Sequence, residues 1–248
     1  MNRHYDPTPP QPSEYREASA PAAKPRDAAT LIVVRRQKEP EILMGKRAAS
    51  HKFMPNKFVF PGGKLDVADQ RLNFDSSLSK EVLDRLRKFT RTDTSDRKLT
   101  GLALAAVRET FEETGLVVGQ KTERRIRSKN ASWQDYFNHG VEPALAKLEF
   151  IARAITPTYR VRRFDTRFFM VSDTSMYINL NSLRKQGGEL EQVRWIPLSE
   201  TRELDLPGVT RWVLDEVEKR LSAGANLAGS LPTPFVRFIN GKTVEKHL

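Results

Sequence analysis

Three glutamates stand close together in the run Arg108-Glu109-Thr110-Phe111-Glu112-Glu113-Thr114-Gly115-Leu116. Residues three and four apart are neighbours on a helix, so this spacing puts Glu109, Glu112 and Glu113 on one face, opposite Val107 and Phe111. The apolar side is expected to pack and the acidic side to point outward. Such a face works against itself. Each like-charged pair costs roughly a few tenths of a kcal/mol, and Glu112 and Glu113 lie near the helix C-terminus, where the dipole disfavours anions. Arg108 can pair with Glu112 one turn on, but one guanidinium does not neutralise three carboxylates. A divalent hard cation with oxygen ligands does.

The elements that must carry these groups follow from periodicity. From Leu102 to Thr114, Ala103, Leu104, Val107 and Phe111 form one helical stripe, with Thr100 as the candidate cap and Gly115 as the C-terminal stop. Upstream, Ala29–Arg35 and Glu41–Lys46 read as a strand hairpin, and Lys57–Phe60 as a short strand halted by Pro61-Gly62-Gly63. Downstream, strands are expected at 148–154, 163–171 and 192–196, and an amphipathic helix at 209–221 carried by Trp212, Val213, Val217 and Leu221. The stretch 121–147 reads as a helical insertion whose Trp133, Tyr136 and Phe137 are more readily core than a base-stacking surface. Residues 1–27, rich in proline and without apolar period, read as a disordered or loosely docked arm, so that deleting them should leave fold and turnover unchanged. A single domain over 28–222 and an irregular tail over 223–248 complete the division.

Composition narrows the chemistry. With no cysteine, disulfides, thiolate nucleophiles and cysteine zinc sites are excluded, and four scattered histidines leave oxygen as the metal donor. No segment has the apolar length of a membrane span and the first residues lack the apolar block of a secretory signal, so a cytoplasmic protein without a membrane partner is expected. The net charge of +11 favours polyanions. A small phosphorylated substrate is the expected partner, nucleic acid a less favoured one, and a homodimer is left open.

The nine residues from Arg108, joined to the upstream Phe60-Pro61-Gly62-Gly63, resemble the second half of the Nudix box. Thr110 stands where that pattern has an apolar residue, Asp69 or Asp66 where it has its first glutamate, and a segment at about 70–99 interrupts the box before Arg108. This interruption, with Phe164–Phe169 after Ile155-Thr156-Pro157, is similar to the branch that includes the peroxisomal coenzyme A diphosphatases. The resemblance implies an α/β fold, an α/β/α sandwich around a mixed β-sheet with helical insertions, and a loop-helix-loop that binds Mg²⁺ or Mn²⁺. It implies cleavage of a phosphoanhydride bond in a nucleoside diphosphate-linked substrate, with a lean to CoA or acyl-CoA. Competing readings are an RNA-end or dinucleoside polyphosphate hydrolase and a non-catalytic nucleotide-binding module. Under it, Glu112, Glu113, Glu109 and the Gly62 carbonyl are the metal ligands, Arg108 is oriented by an upstream carboxylate, and the general base is Glu109, Glu189 or Glu191. Of the basic residues around 46–57 and 160–167, Arg47, Lys57, Arg163 and above all Arg167 are the expected grips on phosphate.

Overall fold

A computed structural model describes residues 15–17, 19–50, 54–177, 189–224, 231–239 and 242–248. In chain order the elements are β1 (Arg26–Arg35), β2 (Glu41–Arg47), β3 (Phe58–Val59), β4 (Gly62–Lys64), α1 (Lys80–Arg87), α2 (Asp96–Thr114), β5 (Gly119–Lys121), α3 (Ala131–Phe137), β6 (Val141–Pro143), β7 (Glu149–Ile155), β8 (Phe164–Ser172), β9 (Leu190–Pro197), α4 (Gly208–Ala223), β10 (Pro234–Ile239) and β11 (Lys242–His247).

The main sheet runs β11-β10-β7-β8-β1-β2-β3, with β9 paired to β2. It is mixed: β1 lies parallel to β8 and β10 parallel to β7, while β1–β2 and β7–β8 are antiparallel. Alternation along β1 explains the layering. Leu31 and Val33 point into a core shared with α1, α2 and α3. Ile32 and Val34 point into a second core capped by Trp212, Val213 and Val217 of α4. Both faces of the strand are therefore buried, giving the expected α/β/α sandwich.

The edge of β1 facing away from β8 is divided. β2 pairs with it only at Val34 and Arg35, and β4 takes the other end, Gly62 opposite Thr30 and Gly63 opposite Ala29. The two partners leave a gap in the sheet beside the paired glycines, and α2 runs beneath it.

Helix α2 starts earlier than expected. Ser95, not Thr100, is the cap, its hydroxyl accepting from Lys98 N at 3.3 Å. Leu99 is buried, which draws the extra turn into the fold. The helix stops where the sequence placed its stop, because Gly115 takes φ +77° and its N–H caps Phe111 O at 2.8 Å, a conformation that costs glycine nothing. Thr110, polar at an apolar position, is fully buried, and its hydroxyl donates to Ala106 O at 2.8 Å within the helix.

Two boundaries differ from the sequence reading. The segment 223–248, expected to be irregular, holds β10 and β11; Phe235 and Val236 are buried against the β7 edge, which would otherwise stand open. The arm read over 1–27 overlaps β1, since Arg26 and Asp27 already pair with Phe164 and Asp165. Its described part also docks: Tyr15 bridges Arg160, and Arg16 N donates to Tyr159 O at 2.8 Å. The insertion at 70–99 contributes α1 and the first turn of α2, and that at 121–147 contributes α3 within the β5–β6 pair.

Candidate active site

The three glutamates do not point outward. α2 presents them to the glycine strand β4 through the gap in the sheet, and they are half-buried there. Any Cβ on Gly63 would collide with the Glu109 carboxyl group, so glycine at this position is what lets the carboxyl group reach the strand. Glu113 Oε2 accepts the Gly62 N–H at 3.0 Å. Glu112 is turned further out, and Arg108 Nη1 holds both its oxygens, at 3.1 and 3.2 Å, together with Glu109 Oε1 at 3.0 Å.

Arg108 is itself buried and oriented from behind. Its Nε and Nη2 donate to the two oxygens of Asp69 at 2.8 and 3.1 Å, and Nη2 also reaches Lys64 O at 3.0 Å. Asp69, rather than Asp66, thus occupies the orienting position. Burial alone would lower the Arg108 pKa, but Asp69, Glu109 and Glu112 outweigh it and hold the guanidinium above its ordinary value.

Burial acts oppositely on the carboxyls. It pushes Glu109 up to about 7, with Arg108 opposing and Glu112 adding to the rise. Glu113 is pushed up to about 8, again chiefly by burial, with the Gly62 N–H and Arg47 opposing and Glu109 and Glu189 adding. Two carboxyl groups poised near neutrality on one helix are the electrostatic mark of a site built to receive positive charge.

Beside them opens a cleft of about 320 Å³ on the α4 face of the sheet. Glu109, Gly62, Gly63, Arg47 and Glu189 line its polar end. Val59, Phe60, Phe168 and Val209 line its apolar wall. The Arg47 guanidinium is lowered by burial, with Glu113 and Glu189 acting to restore it.

Several expected residues lie elsewhere. Arg167 is 3% exposed and faces the other side of β8, where it pairs with Asp27 at 2.6 Å and Asp165 at 3.3 Å. A guanidinium so enclosed is a structural tie, which corrects the expectation that it grips phosphate. Arg163 is likewise spent on main-chain carbonyls, Thr156 O at 3.0 Å and Ala23 O at 2.8 Å. Lys57 pairs with Asp205 at 2.5 Å and is not part of the cleft lining. Glu191 sits in β9 opposite Lys46 and is exposed, whereas Glu189 lines the cleft. The cleft takes its later cations from Arg160 and Arg162 instead. Both precede β8, in the turn that leads into the strand, so its alternation does not place them. The start of α4, Pro207–Thr210, also lines the cleft and carried no signal in the sequence beyond its proline.

No family model matches the chain. It is 34% identical over 95 residues to the acyl-coenzyme A diphosphatase NUDT19 of Xenopus laevis, covering 32% of this chain and 25% of that protein. It is 29% identical over 192 residues to nudix hydrolase 7 of Caenorhabditis elegans, covering 69% of this chain and 51% of the other. The chain therefore spans about half or less of these relatives. A solved Nudix hydrolase from Alicyclobacillus acidocaldarius superposes with a TM-score of 0.59 and 28% identity over 84% of this chain and 96% of that one. In sequence and in fold the chain resembles Nudix hydrolases. The helix that matches the Nudix box is α2, and the segment carrying α1 splits that box.

Hard oxygen donors suit the divalent cation that Nudix proteins generally require. Among the described residues, no three carboxylates or imidazoles are gathered so as to hold an ion by themselves, and Arg108 engages Glu112. Main-chain oxygen at Gly62 would have to complete a ligand set of Glu109, Glu112 and Glu113. The raised Glu109 and Glu113 carboxyls fit that role, because a bound cation offsets the cost of burying their charge, which is what chiefly keeps them protonated. Among the described residues no helix is long and apolar enough to cross a membrane.

Proposed function

We propose that this chain is an Mg²⁺- or Mn²⁺-dependent pyrophosphohydrolase that cuts a phosphoanhydride bond in a nucleoside diphosphate-linked substrate. The observation that carries this is the approach of Glu109 and Glu113 to the glycine strand at the polar end of the cleft. Glu112, Glu113, Glu109 and the Gly62 main chain would hold the cation. When bound, it supplies neutralisation of phosphate charge and a water acidic enough to attack near pH 7.

The chain's own groups do the rest. Arg47, charged although partly buried, and Arg162 grip phosphate oxygens in the cleft. Glu109 lines the cleft and accepts the proton of the attacking water at its carboxylate; Glu189, also on the lining, is the other placed base. Asp69 keeps the Arg108 guanidinium turned toward Glu109 and Glu112, so that the carboxylates hold their spacing. The Phe60 and Phe168 wall excludes water from one side of the substrate.

Within this class we favour CoA or acyl-CoA. The named relative NUDT19 is an acyl-coenzyme A diphosphatase, and a cleft with cations at one end and an apolar wall at the other suits a molecule charged at one end and apolar at the other. The test is phosphate-ester release from CoA, nucleotide sugars, dinucleoside polyphosphates and capped RNA, with and without Mg²⁺. Cleavage of CoA to 3′,5′-ADP and phosphopantetheine supports the reading. Preference for capped RNA or a dinucleoside polyphosphate rejects the substrate and keeps the hydrolase, and no Mg²⁺-dependent turnover of any anhydride rejects both.

A further inference from the structure

The second insertion reaches the chemistry through one hydrogen bond. Trp133 of α3 is fully buried, and its indole Nε1–H donates to Asp69 Oδ1 at 2.8 Å. The same carboxylate accepts Arg108 Nε at 2.8 Å and Nη2 at 3.1 Å, and the Asp66 N–H at 2.8 Å. A carboxylate has about four acceptor positions, and here the four donors come from three different parts of the chain. The far nitrogen of Arg108 holds Glu109 and Glu112. An unbroken line of contacts therefore joins α3 to the catalytic face of α2.

α3 is placed to anchor that line. Tyr136 packs edge-on against Phe111 of α2 at 5.6 Å, its hydroxyl donates to Val118 O at 2.6 Å, and the Trp133 ring stacks on Phe137 at 5.5 Å. The tryptophan cannot turn without moving these neighbours. Asp69 stands where the Nudix box has the longer glutamate, so its shorter side chain has less reach with which to follow the guanidinium.

We propose that Trp133 is a positioning residue. Its indole N–H fixes the plane of the Asp69 carboxylate, which fixes the plane of Arg108 and thereby the separation of Glu109 from Glu112. The aromatic group of the 121–147 insertion is core, and it is also the outermost support of the site. This rests on the hydrolase reading only in that Glu109 and Glu112 are taken as the reacting face.

The test replaces Trp133 by Phe and, in a variant that keeps the shape and removes only the N–H, by 3-benzothienylalanine. In both, kcat falls about tenfold, the scale on which partners behind catalytic ligands act, while KM stays within about twofold. In an Asp69→Ala background the replacement costs nothing more, since the acceptor it orders is gone. In the ¹⁵N-labelled full chain, the Trp133 indole resonance moves in Glu112→Gln. Unchanged kcat in the benzothienylalanine variant, or costs that add in the Asp69→Ala background, overturns the proposal. If the wild-type chain hydrolyses no anhydride, the functional reading fails and the resonance alone decides: movement in Glu112→Gln upholds the link, and stillness overturns it.

Discussion

Glu113→Gln should make the metal-free protein more stable while abolishing turnover, and the gain should depend on pH. Glu113 has a carboxyl pushed from an ordinary 4.5 up to about 8 by burial beneath Gly62. The native state therefore keeps a proton that the unfolded chain has already released, so between about pH 4.5 and pH 8 the folded state binds more protons and its stability falls as pH rises. At ~1.36 kcal/mol per pKa unit, the group costs about 1 kcal/mol at pH 5, about 3 at pH 7 and about 5 above pH 8. Glutamine escapes this cost and keeps the hydrogen bond, because its amide oxygen can accept the Gly62 N–H. For a chain of this length ~1 kcal/mol moves Tm by about 2–4 °C, so in EDTA the variant should melt roughly 6–12 °C above wild type at pH 7 and only about 2–4 °C above it at pH 5. Calorimetry at pH 5, 7 and 8.5 reads this directly. Mg²⁺ should then raise the wild-type Tm more at pH 8.5 than at pH 5, and the variant's hardly at all. An equal gain at all three pH values, or a loss, would refute the argument that this carboxyl is buried against the glycine strand.

Other outcomes follow from the same geometry. Arg167→Ala removes one of two cations from each of Asp27 and Asp165, which keep Lys98 and Arg153, and should cost about 1–3 kcal/mol in urea unfolding, whereas Arg162→Ala should leave the midpoint in place and raise KM several-fold at constant kcat. Removing residues 1–17 takes away the Tyr15 bridge and the Arg16 hydrogen bonds to the 158–160 loop; KM should rise about fivefold, the worth of ~1 kcal/mol, with the fold intact. Removing 1–27 also takes Asp27 from under Arg167 and Lys98 and should unfold the chain, as circular dichroism would show. Val236→Asp buries an unpaired charge on β10 and should destabilise by about 3 kcal/mol or more; a wild-type urea midpoint would contradict the placement of that strand.

Much of the site was legible because its chemistry sits on one regular helix. The spacing of Glu109, Glu112 and Glu113, the Gly115 stop and the paired glycines are local features, and local features survive in a sequence. What the helix faces is not local. Nothing in the run Arg108–Leu116 says that β4 will pair with one end of β1 above that helix, so a face expected to meet solvent instead meets Gly63. The arginines of 160–167 show the reverse case, where a readable signal lay unused. Once Phe164, Thr166 and Phe168 are taken as one face of a strand, Arg167 must lie on the other. β10 was hidden because glycines and prolines before Pro234 outweigh the short Phe-Val-Arg-Phe-Ile pattern, although an exposed β7 edge demands a partner. Trp133 read as core and is core; that its N–H also serves Asp69 needs two segments 64 residues apart to meet.

The divided edge of β1 separates two kinds of change. Under the proposed function, the groups placed to activate water belong, Glu189 apart, to the layer of α2, and most of those placed to recognise the rest of the substrate belong to the layer of α4, with the sheet as a wall between them. Among the described residues they meet at the window that the two glycines keep open. On that reading, Val59, Phe168 and Val209 can be exchanged for others without disturbing how Glu109 and Glu113 are held, so the same hydrolytic groups can be refitted to new substrates from the far side of the sheet.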